Sequence, residues 1–193
     1  PAAKLPYYEY VGARPAEWPR ADFIVGNPPY IGTKRMRDSL GDGYVEALRT
    51  SYAGVPRSAD LVMYWWHRGA ELVASGEAKK AGFITTNSIR MAQNRRVVQA
   101  GLVSGVRLAW AIPDHPWVDE VDGAAVRVAM SVLAEPGGLS RLVEVDDAGS
   151  IRSIESSSAI NADFTVGTDV SAPRTGLLAS SGLTSFGFML RGA

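Results

Sequence analysis

The sequence predicts an α/β fold organised around parallel strands, and three stretches carry that expectation. Phe23, Ile24 and Val25 form a short apolar, partly β-branched run with the composition of a buried strand. Residues 59–75 place Leu61, Val62, Trp65, Leu72 and Val73 near the i, i+3, i+4, i+7 pattern of a helix. Residues 81–88 then begin a second apolar run around Phe83 and Ile84 and end on polar residues. Strand, helix, strand is the βαβ unit, which sets two strands parallel, near 22–26 and 81–86, with a right-handed crossover.

Composition bounds the remaining readings. At 193 residues the chain is long enough for one domain with a real core, or for one domain and part of another. With 46% hydrophobic and 21% charged residues it has the make-up of an ordinary globular protein. The absence of cysteine excludes a disulfide framework and a thiolate metal site. His67 and His115 are far apart in sequence, so no metal centre is expected. Nothing approaches the roughly 18 uninterrupted apolar residues of a membrane span, and no signal peptide is visible. A cytoplasmic protein without a membrane partner is the expectation. The formal charge is zero, yet residues 1–100 hold 14 basic against 9 acidic residues and residues 101–193 hold 6 against 11. Such asymmetry marks either a side facing a polyanion or an ordinary solvated surface.

Taken in order, residues 1–20 are rich in proline and aromatics without a clear period, and read as an irregular lead-in that packs against something. Residues 31–57 form a polar loop with a short helix near 44–50; a loop this long in a compact domain is usually functional. Ser58 is the expected N-cap of the 59–75 helix, which ends near Gly76. Trp65 and Trp66 are adjacent and cannot share a face, so a core role is favoured for this helix. A short helix is expected over 95–103. Residues 107–112 and 124–133 read as a third and a fourth strand, extending the sheet with one antiparallel pairing. Between them, 113–123 reads as a proline-containing loop carrying Trp117. The turn cluster Glu135, Pro136, Gly137 and Gly138 is the expected boundary. It divides the chain into a lead-in (1–20), a main unit (21–138) and a C-terminal part (139–193). Residues 142–145 and 151–154 flank a turn and read as a β-hairpin. Residues 155–187 turn rich in Ser, Thr, Gly and Ala, the composition of a linker. No internal repeat is evident.

The chemistry concentrates where the first strand stops. Neither Pro28 nor Pro29 can donate to a β-ladder, and Pro28 biases Asn27 towards an extended conformation. A rigid loop therefore begins at the carboxyl end of a strand, where open α/β sheets place their ligands. Asn27 offers a side-chain carbonyl oxygen, and Pro28 a main-chain carbonyl with no N–H beside it. Two fixed acceptors side by side suit a planar amino group that must give both hydrogens away. Tyr30 adds an aromatic face for a planar base. The bland alternative is a plain turn, since Asn-Pro commonly starts one. The run Lys34, Arg35, Met36, Arg37 follows this loop directly, and Arg90, Arg95 and Arg96 follow the second strand.

Asn27-Pro28-Pro29-Tyr30 after an apolar strand resembles motif IV of the amino-methyltransferases that use S-adenosylmethionine, above all the adenine-N6 DNA methyltransferases. The later stretches resemble single-chain bacterial restriction–modification enzymes that fuse methyltransferase and target-recognition regions. The resemblance covers most of the chain from about Asp22 onward, and glutamine-modifying protein methyltransferases and some RNA methyltransferases share the tetrapeptide. It implies the second half of a Rossmann-like class I methyltransferase sheet, followed by the hairpin and an irregular tail. It implies catalytic roles for Asn27, Pro28, Pro29 and Tyr30, and base stacking by Tyr30 and by Trp117, which matches an aromatic position of the family. Trp117 can equally be a partly buried loop aromatic. The implied partner is double-stranded DNA, with Lys34, Arg35, Arg37, Arg90, Arg95 and Arg96 as phosphate contacts. Residues 163–170 and 182–191 resemble the junction into the target-recognition region.

In this family the cofactor is held largely by a glycine-rich strand–loop–helix upstream of motif IV. The 26 residues before Asn27 contain none. The chain therefore reads as a fragment whose main S-adenosylmethionine site lies upstream, inactive by itself, with a truncated sheet edge through which it can dimerise. A protein-glutamine or RNA methyltransferase, or a non-catalytic DNA-recognition module, is the alternative reading.

Overall fold

The computed structural model describes residues 8–118 and 125–169. Six strands form one sheet in the order β1-β2-β4-β3-β5-β6: β1 (Phe23–Gly26), β2 (Lys80–Thr86), β3 (Arg107–Val118), β4 (Ala125–Ala134), β5 (Ser140–Val145) and β6 (Ile151–Ser157). The helices are α1 (Met36–Leu40), α2 (Asp42–Ser51), α3 (Val62–Ala74) and α4 (Ala92–Val103), with a 3-10 turn over Asn87–Arg90. β1 and β2 pair in parallel, Ile24 opposite Ala81, as the βαβ reading requires.

β4 is antiparallel to both β2 and β3, so two antiparallel pairings stand where one was expected, both made by a single returning strand. The expected hairpin forms from β5 and β6, and β5 joins the same sheet by pairing in parallel with β3. Four strands, β1, β2, β3 and β5, thus point the same way, and their carboxyl ends share one rim.

α3 and α4 cover one face. Period-two alternation sends Ala81, Phe83 and Thr85 of β2 towards them, all buried. α3 can lie close to the sheet because Gly69 faces it. A Cβ built there would fall 2.5 Å from the Phe83 ring. Trp66 is fully buried and its indole N–H donates to Ser131 Oγ of β4 at 3.2 Å, so its polar edge is satisfied. Trp65 is half-buried, consistent with adjacent residues taking different faces.

Several local expectations need correction. β1 is a sheet edge and is covered on one face: Ile24 packs on the core, whereas Phe23 and Val25 are 63% and 88% exposed. The 31–57 loop contains α1 as well as α2, separated by Gly41, whose φ of +81° is a conformation that favours glycine. α3 starts at Val62, not 59, and Ser58 does not cap it. The N–H groups of Asp60 and Leu61 bond instead to Asn94 Oδ1 and to the Ile31 carbonyl, both at 2.9 Å. α4 begins three residues earlier than expected.

Residues 113–118 are strand rather than loop. Past Ala111 the outer side of β3 carries no ladder, an edge position that tolerates Pro113 and Pro116. Within the lead-in, Trp18 packs on the core and Tyr10 meets Tyr44 edge-to-face at 5.9 Å. The 182–191 stretch and Val170 lie outside the described residues.

Candidate functional site

Asn27 leaves the sheet one residue after Gly26, which pairs with Phe83. Pro28 is buried and Asn27 exposed, so the loop is anchored at its proline and offers its asparagine. The Tyr30 hydroxyl donates to Asn27 Oδ1. That contact fixes which end of the carboxamide is the acceptor, and it leaves the second lone pair of Oδ1 open. Burial pushes the Tyr30 phenol above its ordinary value, so it stays a protonated donor.

The loop then turns back and is tied down. Leu61 N–H donates to the Ile31 carbonyl at 2.9 Å, and Thr33 N–H donates to Asp60 Oδ1 at 2.9 Å. Asp60 Oδ2 accepts from Ser88 Oγ at 3.0 Å and from Asn94 Nδ2 at 2.7 Å. Asn94 is fully buried and its amide also donates to the Ser88 carbonyl at 3.1 Å. One carboxylate therefore joins the loop, the 3-10 turn after β2 and the first turn of α4.

A second network lies further along the rim. Arg127 Nε donates to Asp114 Oδ1 at 2.6 Å, and its terminal nitrogen pairs with Asp147 Oδ1 at 3.2 Å on the β5–β6 turn. Asn87 Nδ2 donates to Asp114 Oδ1 at 3.4 Å. Beyond the end of β2, at Thr86 opposite Val128, β3 and β4 continue as a two-stranded ribbon in which Trp117 pairs with Val126. A register shift between Ile112 and His115 marks a bulge, a device that bends strands and re-aims side chains. Trp117 is 36% exposed on this ribbon. Its strand stands three places from β1, roughly 14 Å at ordinary strand spacing.

The cations separate into two groups. Lys34, Arg35 and Arg96 are exposed, Arg90 and Arg95 are half-buried, and none of these side chains has a hydrogen-bond or ion-pair partner among the described residues. Arg90 Nε is buried without a partner. Arg37 is bound to Asp42 and Glu46, and Glu46 also pairs with Arg57 at 2.6 Å. These guanidinium groups, Arg57 first, hold the Glu46 carboxyl below its ordinary range.

Asp60, Asn94, Asp114 and Arg127 were not singled out from sequence. A signal existed for Asn94. It stands three, four and seven residues before Val97, Val98 and Gly101, on the buried face of the helix, where a polar residue must find partners.

A sheet with four of its six strands pointing the same way, one antiparallel strand inserted between β2 and β3 and another at the far edge, carrying an Asn-Pro-Pro-Tyr loop at the carboxyl end of its first strand, defines a Rossmann-like methyltransferase fold. Residues 2–140 match the model of the MmeI DNA-methyltransferase domain, and the chain belongs to that family. It is 22% identical over 125 residues to DNA methyltransferase A of Bacillus subtilis (strain 168), covering 64% of this chain and 14% of that protein. The fold is also that of a solved structure of the type IIL restriction–modification enzyme MmeI in complex with DNA. That match has a TM-score of 0.64 and 22% identity, over 77% of this chain and 20% of that one. The chain thus spans about a seventh to a fifth of the length of these relatives.

Proposed function

We propose that this chain supplies the amino-acceptor side of a DNA methyltransferase that methylates the exocyclic N6 of a flipped adenine, with S-adenosylmethionine as donor, in a restriction–modification system. The observation that carries the reading is the pair of acceptors at the end of β1, Asn27 Oδ1 and the Pro28 carbonyl, with the amide of Asn27 oriented by Tyr30. The family match and the likeness to a DNA methyltransferase support DNA as the substrate class.

The difficulty of the reaction lies in the nucleophile. The N6 lone pair of adenine is delocalised into the ring. Hydrogen bonds from its two hydrogens to Asn27 Oδ1 and to the Pro28 carbonyl draw that pair back onto nitrogen as the bond to carbon forms. A base inside a duplex is out of reach, so it is turned out and stacked. Tyr30, three residues from Asn27, is the first stacking surface. Trp117 is the second proposed stacking surface, carried on the ribbon that continues past the end of β2. S-adenosylmethionine, when bound, supplies an electrophilic methyl group. Among the described residues there is no glycine-rich strand–loop–helix to cradle it, so this chain's part is taken to be the acceptor side and its main cofactor site to lie upstream.

Lys34, Arg35, Arg90, Arg95 and Arg96 contact phosphate in this reading, giving affinity that is sequence-independent and falls with salt. Arg37 joins them on leaving its two carboxylates. The family match ends at residue 140, beside the division proposed at 138, which supports reading 139–193 as the approach to a target-recognition region. The place of action is the cytoplasm. No helix among the described residues is long and apolar enough to cross a membrane.

The test is Asn27→Ala in the intact protein, with methyl transfer from a tritiated donor measured on DNA, RNA and protein in parallel. Turnover on DNA should fall on the order of a hundredfold or more, the scale of losing one aligned transition-state partner, with unchanged thermal stability. Unaltered turnover, or transfer only to RNA or protein, overturns the assignment.

A further inference from the structure

Asp60 and Asn94 stand 34 residues apart and make a reciprocal pair. The Asp60 N–H donates to Asn94 Oδ1 at 2.9 Å, while Asn94 Nδ2 donates to Asp60 Oδ2 at 2.7 Å. The remaining side-chain bonds of the pair lead to the rim. Asp60 Oδ1 takes the N–H of Thr33, three residues past Tyr30. Asp60 Oδ2 takes the Ser88 hydroxyl, whose oxygen in turn lies 2.6 Å from Thr86 Oγ1. With Ser88 donating to the carboxylate, Thr86 is the donor in that last contact. Asn94 Nδ2 also reaches the Ser88 carbonyl and hydroxyl, at 3.1 and 3.2 Å.

We infer that Asp60 and Asn94 are positioning residues for the methyl-transfer reaction, acting through the Asn27–Tyr30 loop; this rests on the function proposed above. Two observations separate positioning from general stability. First, the bonds do not lie within the apolar core or within one element. They join the ends of three chain segments that meet at the rim: the loop after β1, the 3-10 turn after β2 and the start of α4. Second, Asp60, two residues before α3, spends its side chain on the loop and not on that helix. α3 lacks a side-chain cap, and the N–H groups of the two residues before it, Asp60 and Leu61, are satisfied by Asn94 and Ile31. An aspartate this close to a helix start ordinarily favours capping it. Here the carboxylate is given to Thr33.

The loop is consequently held at both ends. Pro28 is buried against the fold at one end, and Ile31 and Thr33 are bonded to Leu61 and Asp60 at the other. Asn27, between the paired Gly26 and the buried Pro28, and Tyr30, between Pro28 and Ile31, have little freedom to drift. Two acceptors that must meet two hydrogens of one amino group tolerate little error, and a displacement near 1 Å costs on the order of a hundredfold in rate.

The polarity of the pair makes the inference testable by exchange. Asp60→Asn keeps acceptance from Thr33 but turns an NH2 towards the NH2 of Asn94. Asn94→Asp sets two carboxylates against each other. The double exchange Asp60→Asn with Asn94→Asp restores a donor facing an acceptor and lets the Ser88 hydroxyl donate to residue 94, while the Ser88 carbonyl loses its amide donor, so the recovery is partial. In the intact protein, each single variant should lower kcat roughly 10–100-fold while the Kd for duplex DNA stays within about threefold, since the rim cations are untouched. The double variant should recover on the order of tenfold in kcat.

Asn27→Ala is run beside them, with thermal melts of all four variants to measure the folded fraction. If Asn27→Ala keeps its activity, the proposed function fails and the positioning role falls with it. If Asn27→Ala is inactive while both single exchanges keep full kcat per folded molecule, the positioning role alone is overturned. If kcat falls only in step with the folded fraction, or the double variant is no better than the singles, the pair is a stability element and the inference is also wrong.

Discussion

At the scale of single residues, Tyr30 has two functions that substitution can separate. Its hydroxyl orients the Asn27 carboxamide, and its ring is the proposed stacking surface. Tyr30→Phe removes the first and keeps the second. A single orienting hydrogen bond is worth about 0.5–1.5 kcal/mol, so kcat should fall up to about tenfold with little change in DNA affinity. Tyr30→Ala loses stacking as well, worth roughly 1–3 kcal/mol per base, and should fall further. The pH dependence follows from the raised phenol. The protonated form is the donor, and burial extends it above the ordinary tyrosine value of 10.0. No loss of kcat between pH 7 and 9 should therefore be traceable to Tyr30, and profiles of the parent and of Tyr30→Phe should run parallel there. A fall in the parent over that range that Tyr30→Phe abolishes would contradict this account.

At the scale of elements, the contact between α3 and β2 is set by the missing side chain at Gly69. An added Cβ falls 2.5 Å from Phe83 Cε2 and 3.2 Å from Ala81 Cβ, and both neighbours are buried with nowhere to move. Gly69→Ala gains about 1 kcal/mol of helix propensity. Overpacking of a tight core costs about 1–3 kcal/mol. The clash should win, lowering the melting temperature by a few degrees in a thermal scan. Elements of this kind were legible because their signals are local. The apolar run of β1, the helical spacing of α3, the alternation in β4 and the turn between β5 and β6 each lie within a dozen residues. So does the Asn27–Tyr30 loop, whose rigidity comes from its own prolines. What escaped depends on distant partners. Ser58 looked like a cap because Asn94 and Ile31, which satisfy the helix start in its place, are remote in sequence. Residues 113–118 looked like a loop because two prolines are read as breakers, until the unladdered side of β3 shows why they are tolerated.

At the scale of the whole molecule, α3 and α4 cover one face of the sheet, and β1 is one of its two open edges. Phe23 and Val25 point away from α3 and α4, on a strand that pairs only with β2 among the described residues. Parallel strands are ordinarily covered on both faces. The chain should therefore self-associate through β1. Val25→Lys, a charge on the exposed edge, should shift sedimentation towards monomer without lowering the melting temperature. An unchanged distribution would place the association elsewhere. The position of β4 has a consequence in time. β2 and β3 run in parallel but are not neighbours; the gap between them, about 10 Å or two strand spacings, is filled by residues 125–134, which leave the ribosome later than either. Until then each flank of the gap is an open edge, and Thr86, Ser88 and Asp114 have no common frame. The rim is therefore completed only once β4 has emerged, and a chain stalled near residue 120 should be sensitive to proteases and retained by chaperones, whereas one stalled after β4 has cleared the exit tunnel should not.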